Sequence, residues 1–102
     1  VRISFDPAAL DVELIHAFLS GAYWSVGIPR HTVEQAIKGS LCAGAYAPDE
    51  AGKDEQIGFA RVISDRATFA YLADVFVLPA HRGRGVARAM LEALHTHPDL
   101  QG

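Results

Sequence analysis

Three guanidinium groups, Arg82, Arg84 and Arg88, fall within seven residues with no acid among them, and Gly83 and Gly85 are interleaved with them. The segment Val77-Leu78-Pro79-Ala80-His81-Arg82-Gly83-Arg84-Gly85-Val86-Ala87 leads from an apolar stretch, through this loop, into a helical pattern. The first turn of a helix has unpaired backbone N–H groups and a partial positive charge. Together these bind anions, phosphate above all. Glycine lets the backbone approach a ligand closely and tolerates positive φ, and arginines add charge-assisted hydrogen bonds. A pyrophosphate needs several donors converging from one side, and this segment can supply them. The alternative, a solvated basic loop and helix face, leaves the two glycines between the charges without a reason. The chain has no Gly-Lys-Ser/Thr, which excludes a P-loop. A dinucleotide fingerprint wants a third glycine where Arg88 stands and a parallel βαβ unit, whereas the strands before this loop read as a meander.

Asp74 interrupts an apolar run, where a charge is costly unless paired. It is either a functional carboxylate, acting as a base or holding an amine, or a structural one bonded to backbone or to an arginine such as Arg61. Tyr23, Trp24 and His31 fall between the first two helical patterns, and Trp24 suits core or lid packing better than a specific contact. His95 and His97 are two apart and do not share a helix face as metal ligands would, so no metal site is expected. His81 reads as a surface histidine beside the loop. Cys42 reads as a small buried strand residue with no base nearby, not as a nucleophile.

These residues need a scaffold. Residues 2–5 are a short strand candidate ended by Pro7. Asp11 can cap a helix carrying Leu14, Ile15, Phe18 and Leu19 at helical period. Gly21 and Gly27-Ile28-Pro29 interrupt it. Thr32 and Gln35 match a capping box for a second helix with Val33, Ala36 and Ile37, closed by Gly39. Residues 41–47 and 56–63 read as strands joined by the polar loop 48–55, and Ser64-Asp65-Arg66 as a tight turn. Residues 67–78 read as one long strand apolar on both faces, with Phe69, Tyr71, Val75 and Val77 on one and Leu72, Phe76 and Leu78 on the other. Such a strand is expected in the middle of a covered sheet. Short connections make the three strands antiparallel. Val86, Met90 and Leu94 form the stripe of a final helix, stopped by Pro98. The expected class is α/β in the α+β sense: a mostly antiparallel central sheet flanked by helices.

Composition bounds the function. A chain of 102 residues suits a single domain. A formal net charge of −3 argues against general nucleic-acid binding, which draws its affinity from neutralised phosphates. Asp49, Glu50, Asp54 and Glu55 lie apart from the basic loop, so local basicity suggests a small anionic ligand. No apolar run approaches the roughly 20 residues that cross a bilayer, and no signal-peptide pattern is seen. One cysteine permits no internal disulfide. The default expectation is a cytoplasmic protein without membrane contact.

Arg82-Gly83-Arg84-Gly85-Val86-Ala87 matches the R/Q-x-x-G-x-G/A signature of the GNAT superfamily of N-acyltransferases. Asp74-Val75-Phe76-Val77-Leu78-Pro79 resembles that family's fourth strand and the proline that often follows it. The order strand, two helices, three-strand meander, signature loop and helix is also similar to the family's from its start, so the resemblance covers essentially the whole chain, residues 1–102, as one partial GNAT domain. It implies acetyl-CoA as donor and a primary amine as acceptor, with no metal. By position, the backbone N–H groups from Arg82 to Ala87, with Arg88, would cradle the pyrophosphate, and the edge of Phe76, Val77 and Leu78 would pair with the pantetheine arm. The Val77 N–H would polarise the thioester carbonyl. Direct attack by a neutral amine would follow its deprotonation by a base or water relay. Asp74 matches a position where family members often carry an acid near the acceptor, and Tyr23 and Trp24 would wall the acceptor site.

Family members continue past this helix with a strand, a helix and a last strand, and often with a tyrosine that protonates the leaving thiolate. Tyr71, Tyr46 and Tyr23 do not match that position, so no general acid is assigned. The expectation is an incomplete gene product, with a homodimer as one way to complete the sheet. A non-catalytic acyl-CoA-binding or regulatory module is the competing function, and a binder of another phosphorylated ligand the third.

Overall fold

The computed structural model describes residues 1–100. Four strands, β1 (Arg2–Ser4), β2 (Leu41–Pro48), β3 (Asp54–Ser64) and β4 (Ala70–Val77), form one sheet in the order β1-β2-β3-β4. Every pairing is antiparallel, as the short connections require. Helices α1 (Val12–Gly21) and α2 (Arg30–Lys38) cover one face of the sheet, and α3 (Val86–His95) covers the other.

The two faces are filled by different side chains. Toward α3 the sheet presents Leu41, Ala43, Ala45, Ala60, Val62 and Val77, which meet Val86, Met90 and Leu94. This is the helical stripe expected of α3. Small residues let the helix come close: a Cβ on Gly58 would lie 3.1 Å from Met90 Cε and 3.3 Å from Ala45 Cβ. Toward α1 and α2 the sheet presents Cys42, Phe59 and Phe76, packed on Ile15, Leu19, Val33 and Ile37.

Asp11 caps α1 as expected, its Oδ1 accepting from the Leu14 N–H at 3.1 Å. The capping box expected at Thr32 does not form. Helix α2 starts three residues earlier than such a cap would place it, at Arg30, with Pro29 at the cap position and no side-chain cap. Proline's fixed φ already suits a helix entry, so the chain turns into α2 before Thr32, and His31 lies within the helix instead of before it. The turn after β3 is longer than three residues. Asp65 accepts from the N–H groups of Ala67, Thr68 and Phe69 and from the Thr68 hydroxyl, so the strand resumes only at Ala70.

The central-strand expectation for 67–78 is not met. Among the described residues β4 is an edge, and its first half is open, with Tyr71 58% and Leu72 43% exposed. The assignment of faces along it also changes. Arg61 pairs with Asp74 but the next residue, Val62, pairs with Leu72, so Ala73 is an extra residue on β4. This β-bulge shifts the alternation by one. Leu72 therefore shares a face with Val75 and Val77, and Tyr71 with Asp74 and Phe76.

No described helix is long and apolar enough to cross a membrane.

Candidate functional site

The basic loop sits where β4 gives way to α3. A short 3-10 turn, Pro79–His81, leads into it. Gly83 and Gly85 have φ of 78° and 76°, a left-handed conformation that other residues enter only at a cost. An added Cβ at either glycine would meet nothing within 4 Å, so conformation and not space demands them. Gly85 caps α3 without a side-chain bond. The first N–H to find a helical acceptor is that of Ala89, on the Gly85 carbonyl at 2.9 Å. The N–H groups of Val86, Ala87 and Arg88 precede it and have no acceptor among the described residues. The same three residues line a cavity of about 150 Å³ with Val77, His81, Arg82, Gly83 and Gly85.

The arginines do not act alike. Arg82 folds back, its Nε donating to the Val77 carbonyl at 3.0 Å, which ties the loop to the end of β4. Arg88 pairs with Glu92 one turn on, at 3.1 Å on an exposed surface. Arg84 is exposed and has no partner among the described residues.

The strand edge comes next. The Leu78 N–H donates to the Ile57 carbonyl at 2.8 Å, toward β3. Alternation along a strand turns the neighbouring Val77 N–H the other way, to the free edge. The Val77 carbonyl faces that edge too and is held by Arg82. The side chains of Phe76 and Val77 are buried in the two cores, and the Phe76 ring stacks on Phe18 at 4.0 Å between centroids. What this stretch offers a ligand is the backbone of Val77, because the Leu78 N–H and carbonyl are taken by Ile57 and by the His81 N–H and Phe76 turns toward β3.

A second cavity, of about 260 Å³, opens between α1, α2 and the β3–β4 face. Its walls include Ile15, Leu19, Val33 and Phe59, and its polar end is Asp74 with Arg61. Asp74 is buried, its Oδ2 2.6 Å from Arg61 Nε and its Oδ1 2.9 Å from Trp24 Nε1. Arg61 also donates to Ser40 Oγ at 3.1 Å. Asp74 thus has the arginine partner weighed for it, together with an indole that was not foreseen. Tyr23 meets Trp24 edge-on at 5.2 Å but is 90% exposed, outside the cavity. Val77 lies three positions after Asp74, roughly 10 Å along a strand, so cavity and loop lie at the two ends of one short run.

Cys42 lies under the same helices, and burial pushes its thiol up to about 11, consistent with an inert core residue. Among the described residues no group of His, Cys, Asp and Glu side chains could hold a metal ion.

Arg61, expected only as a structural partner of Asp74, also lines the cavity. A signal for it exists: it is the one charge in the apolar run Ile57–Ile63, and an antiparallel neighbour carrying the one acid of its own run invites pairing.

Comparison with known proteins bears on this arrangement directly. The family model described as an acetyltransferase (GNAT) domain matches residues 43–102. A candidate acetyltransferase of Gibberella zeae is 35% identical over 91% of this chain, and this chain spans 61% of that protein's length. The crystal structure of a candidate acetyltransferase of the GNAT family from Xanthomonas campestris pv. campestris superposes with a TM-score of 0.91 at 51% identity, covering 99% of this chain and 68% of that one. A Staphylococcus aureus protein of unknown function, a candidate acetyltransferase, shares the fold at a TM-score of 0.69 and 21% identity, over 91% of this chain and 65% of its own. With its meander, its two-glycine loop opening α3 and this similarity along its length, the chain belongs to the GNAT acetyltransferase family.

Proposed function

We propose that this chain is the acyl-CoA-binding part of an N-acetyltransferase, one partial domain over residues 1–102, which transfers an acetyl group from acetyl-CoA to a primary amine by direct attack. The observation that carries this reading is the run of unpaired N–H donors at Val86, Ala87 and Arg88 beside the outward-facing Val77 N–H. Donors at a helix start suit a pyrophosphate, and a donor on a free strand edge suits the arm and carbonyl that follow it. Acetyl-CoA is the co-substrate and supplies the activated thioester. The backbone from Arg82 to Ala87 holds the phosphates, with Arg84 and Arg88 adding charge. The edge at Phe76, Val77 and Leu78 aligns the arm through the Val77 backbone. The Val77 N–H stabilises charge on the thioester oxygen as the amine attacks. Asp74, with Tyr23 and Trp24 on the same side, stands at the acceptor end. Both Asp74 oxygens already have a donor, so an amine reaches this carboxylate by exchange with Trp24 or through a remaining lone pair.

The same double occupation favours one competing reading, a non-catalytic acyl-CoA-binding or regulatory module. In either case the setting is cytoplasmic, no metal, nucleic acid or membrane takes part, and a second copy of the chain can pair with the open edge of β4. Light scattering that gives the mass of one chain at high concentration would remove that last element.

Calorimetric titration with acetyl-CoA tests the core of the proposal, with an Arg82→Ala, Gly85→Val double variant alongside. Saturable binding that the folded variant loses is the expected result. A folded wild-type protein that binds no acetyl-CoA would refute it. Turnover on an amine library then separates an enzyme from a binding module.

A further inference from the structure

The cavity beside Asp74 restricts what kind of amine can enter. It measures about 260 Å³, below the roughly 300–1,000 Å³ of pockets that enclose drug-sized ligands. Its walls are mostly aliphatic and aromatic, and Ile15, Val33 and Phe59 among them are almost wholly buried. Its one carboxylate is already neutralised, with Arg61 Nε at 2.6 Å. The cavity therefore has no spare negative charge to hold an ammonium group, and a cation placed there would face the Arg61 guanidinium, so an amine enters it in the neutral form, which a compact monoamine reaches by losing one proton and a polyamine only by losing several. One polar contact can be exchanged without exposing an unpaired group. Trp24 Nε1 donates to Asp74 Oδ1 at 2.9 Å, and Trp24 is 44% exposed, so its indole N–H can turn to water when it leaves the carboxylate. An acceptor N–H can replace the indole N–H one for one, whereas any larger polar group would leave buried donors unsatisfied.

We infer that the acceptor is a small monoamine with a compact apolar body, whose nitrogen, as the neutral amine, docks on Asp74 Oδ1 by displacing the Trp24 indole, so that Trp24 competes with the acceptor and sets its specificity. This rests on the acetyltransferase reading only for the word acceptor. The cavity, the carboxylate and the exchange stand independently of acetyl-CoA.

Trp24 is the only tryptophan in the chain, so its emission reports the exchange directly. The full chain is titrated with benzylamine, n-pentylamine and spermidine, with and without acetyl-CoA, and acetyl-CoA binding is measured separately by calorimetry. The expected result is a saturable change of emission with the two monoamines and none with spermidine at equal concentration. In Trp24→Phe, which removes the competing donor and keeps an aromatic wall, monoamine binding measured by calorimetry should tighten by about three- to tenfold, the scale of one neutral hydrogen bond. Asp74→Asn, with its fold checked by circular dichroism, should weaken it. Spermidine binding as well as the monoamines, or Trp24→Phe weakening the monoamines, would overturn the inference. Acetyl-CoA binding without any response to monoamines sinks this inference alone. Monoamine binding without acetyl-CoA binding sinks the transferase reading alone.

Discussion

Removing the carboxylate of Asp74 while leaving Arg61 in place should take away a large share of the stability of this domain. In the folded chain the side chains of Asp74 and Arg61 are only 8% and 17% exposed, and their 2.6 Å contact is flanked by Trp24 and Ser40. Breaking a buried pair from one side leaves an uncompensated charge and costs roughly 3–5 kcal/mol. A domain of this size has roughly 5–15 kcal/mol in all. With a urea slope of about 2 kcal/mol/M, Asp74→Ala should lower the unfolding midpoint by about 2 M. Replacing both partners by apolar residues, Arg61→Met with Asp74→Leu, should return to within about 1.5 kcal/mol of wild type, because two desolvation costs vanish together. Urea denaturation followed by circular dichroism on the wild type, Arg61→Met, Asp74→Leu and the double variant closes the cycle. If the double variant loses the sum of the single losses, there is no coupling, and the account of Asp74 as one half of a buried pair is wrong. If Asp74→Ala is tolerated within about 0.5 kcal/mol, the charge is not buried in solution.

Gly85→Ala meets open space but a φ of 76°, so it should cost about 1–2 kcal/mol from backbone strain alone; the check is thermal unfolding, where asparagine at the same position should cost less than alanine. Cys42 should resist alkylation by iodoacetamide at pH 8 in the folded protein and react once urea is added, because burial raises its thiol to about 11 and only thiolate reacts; full labelling without denaturant would contradict it. The Thr68 hydroxyl, then the N–H groups of Thr68, Ala67 and Phe69, hold the Asp65 carboxyl well below its ordinary value of 3.8. A depressed folded-state pKa stabilises above the unfolded value and that gain is lost as pH falls below it. The Tm gap between wild type and Asp65→Asn should therefore be fully open at pH 6 and narrow below about pH 4; because the group lies at the surface, added salt should not widen it.

What could be read from residues alone was the part with a strong local cause. Gly83 and Gly85 signalled the loop because only glycine takes positive φ freely, and Val86, Met90 and Leu94 signalled the buried stripe of α3 because helical period leaves few alternatives. The antiparallel meander followed from connections too short for a crossover. The parts that escaped depend on pairing between distant residues. Nothing local to Thr32 says that Pro29 will start α2 first. Nothing local to Ala73 says that Val62 will skip it, and with that skip the sidedness of Tyr71 and Leu72 is lost. Asp74 was singled out, but its exchangeable partner Trp24 lies 50 residues away, and no spacing rule joins them. Arg82 was read as a ligand for phosphate, whereas its Nε spends a bond on Val77, a contact visible only once the loop has closed on the strand.

The extra residue at Ala73 also gives this strand slack in its length. A lineage that lost that single position would place Leu72 directly before Asp74, still opposite Val62, and Tyr71 still opposite Ile63, so no side chain before it would change sides. A second position lost from the same strand has no such reserve and would carry the residues upstream of it to the other side of the ribbon. Natural variants of this segment should therefore tolerate the loss of one residue at the bulge, and a further loss only alongside a coordinated swap of polar and apolar letters upstream.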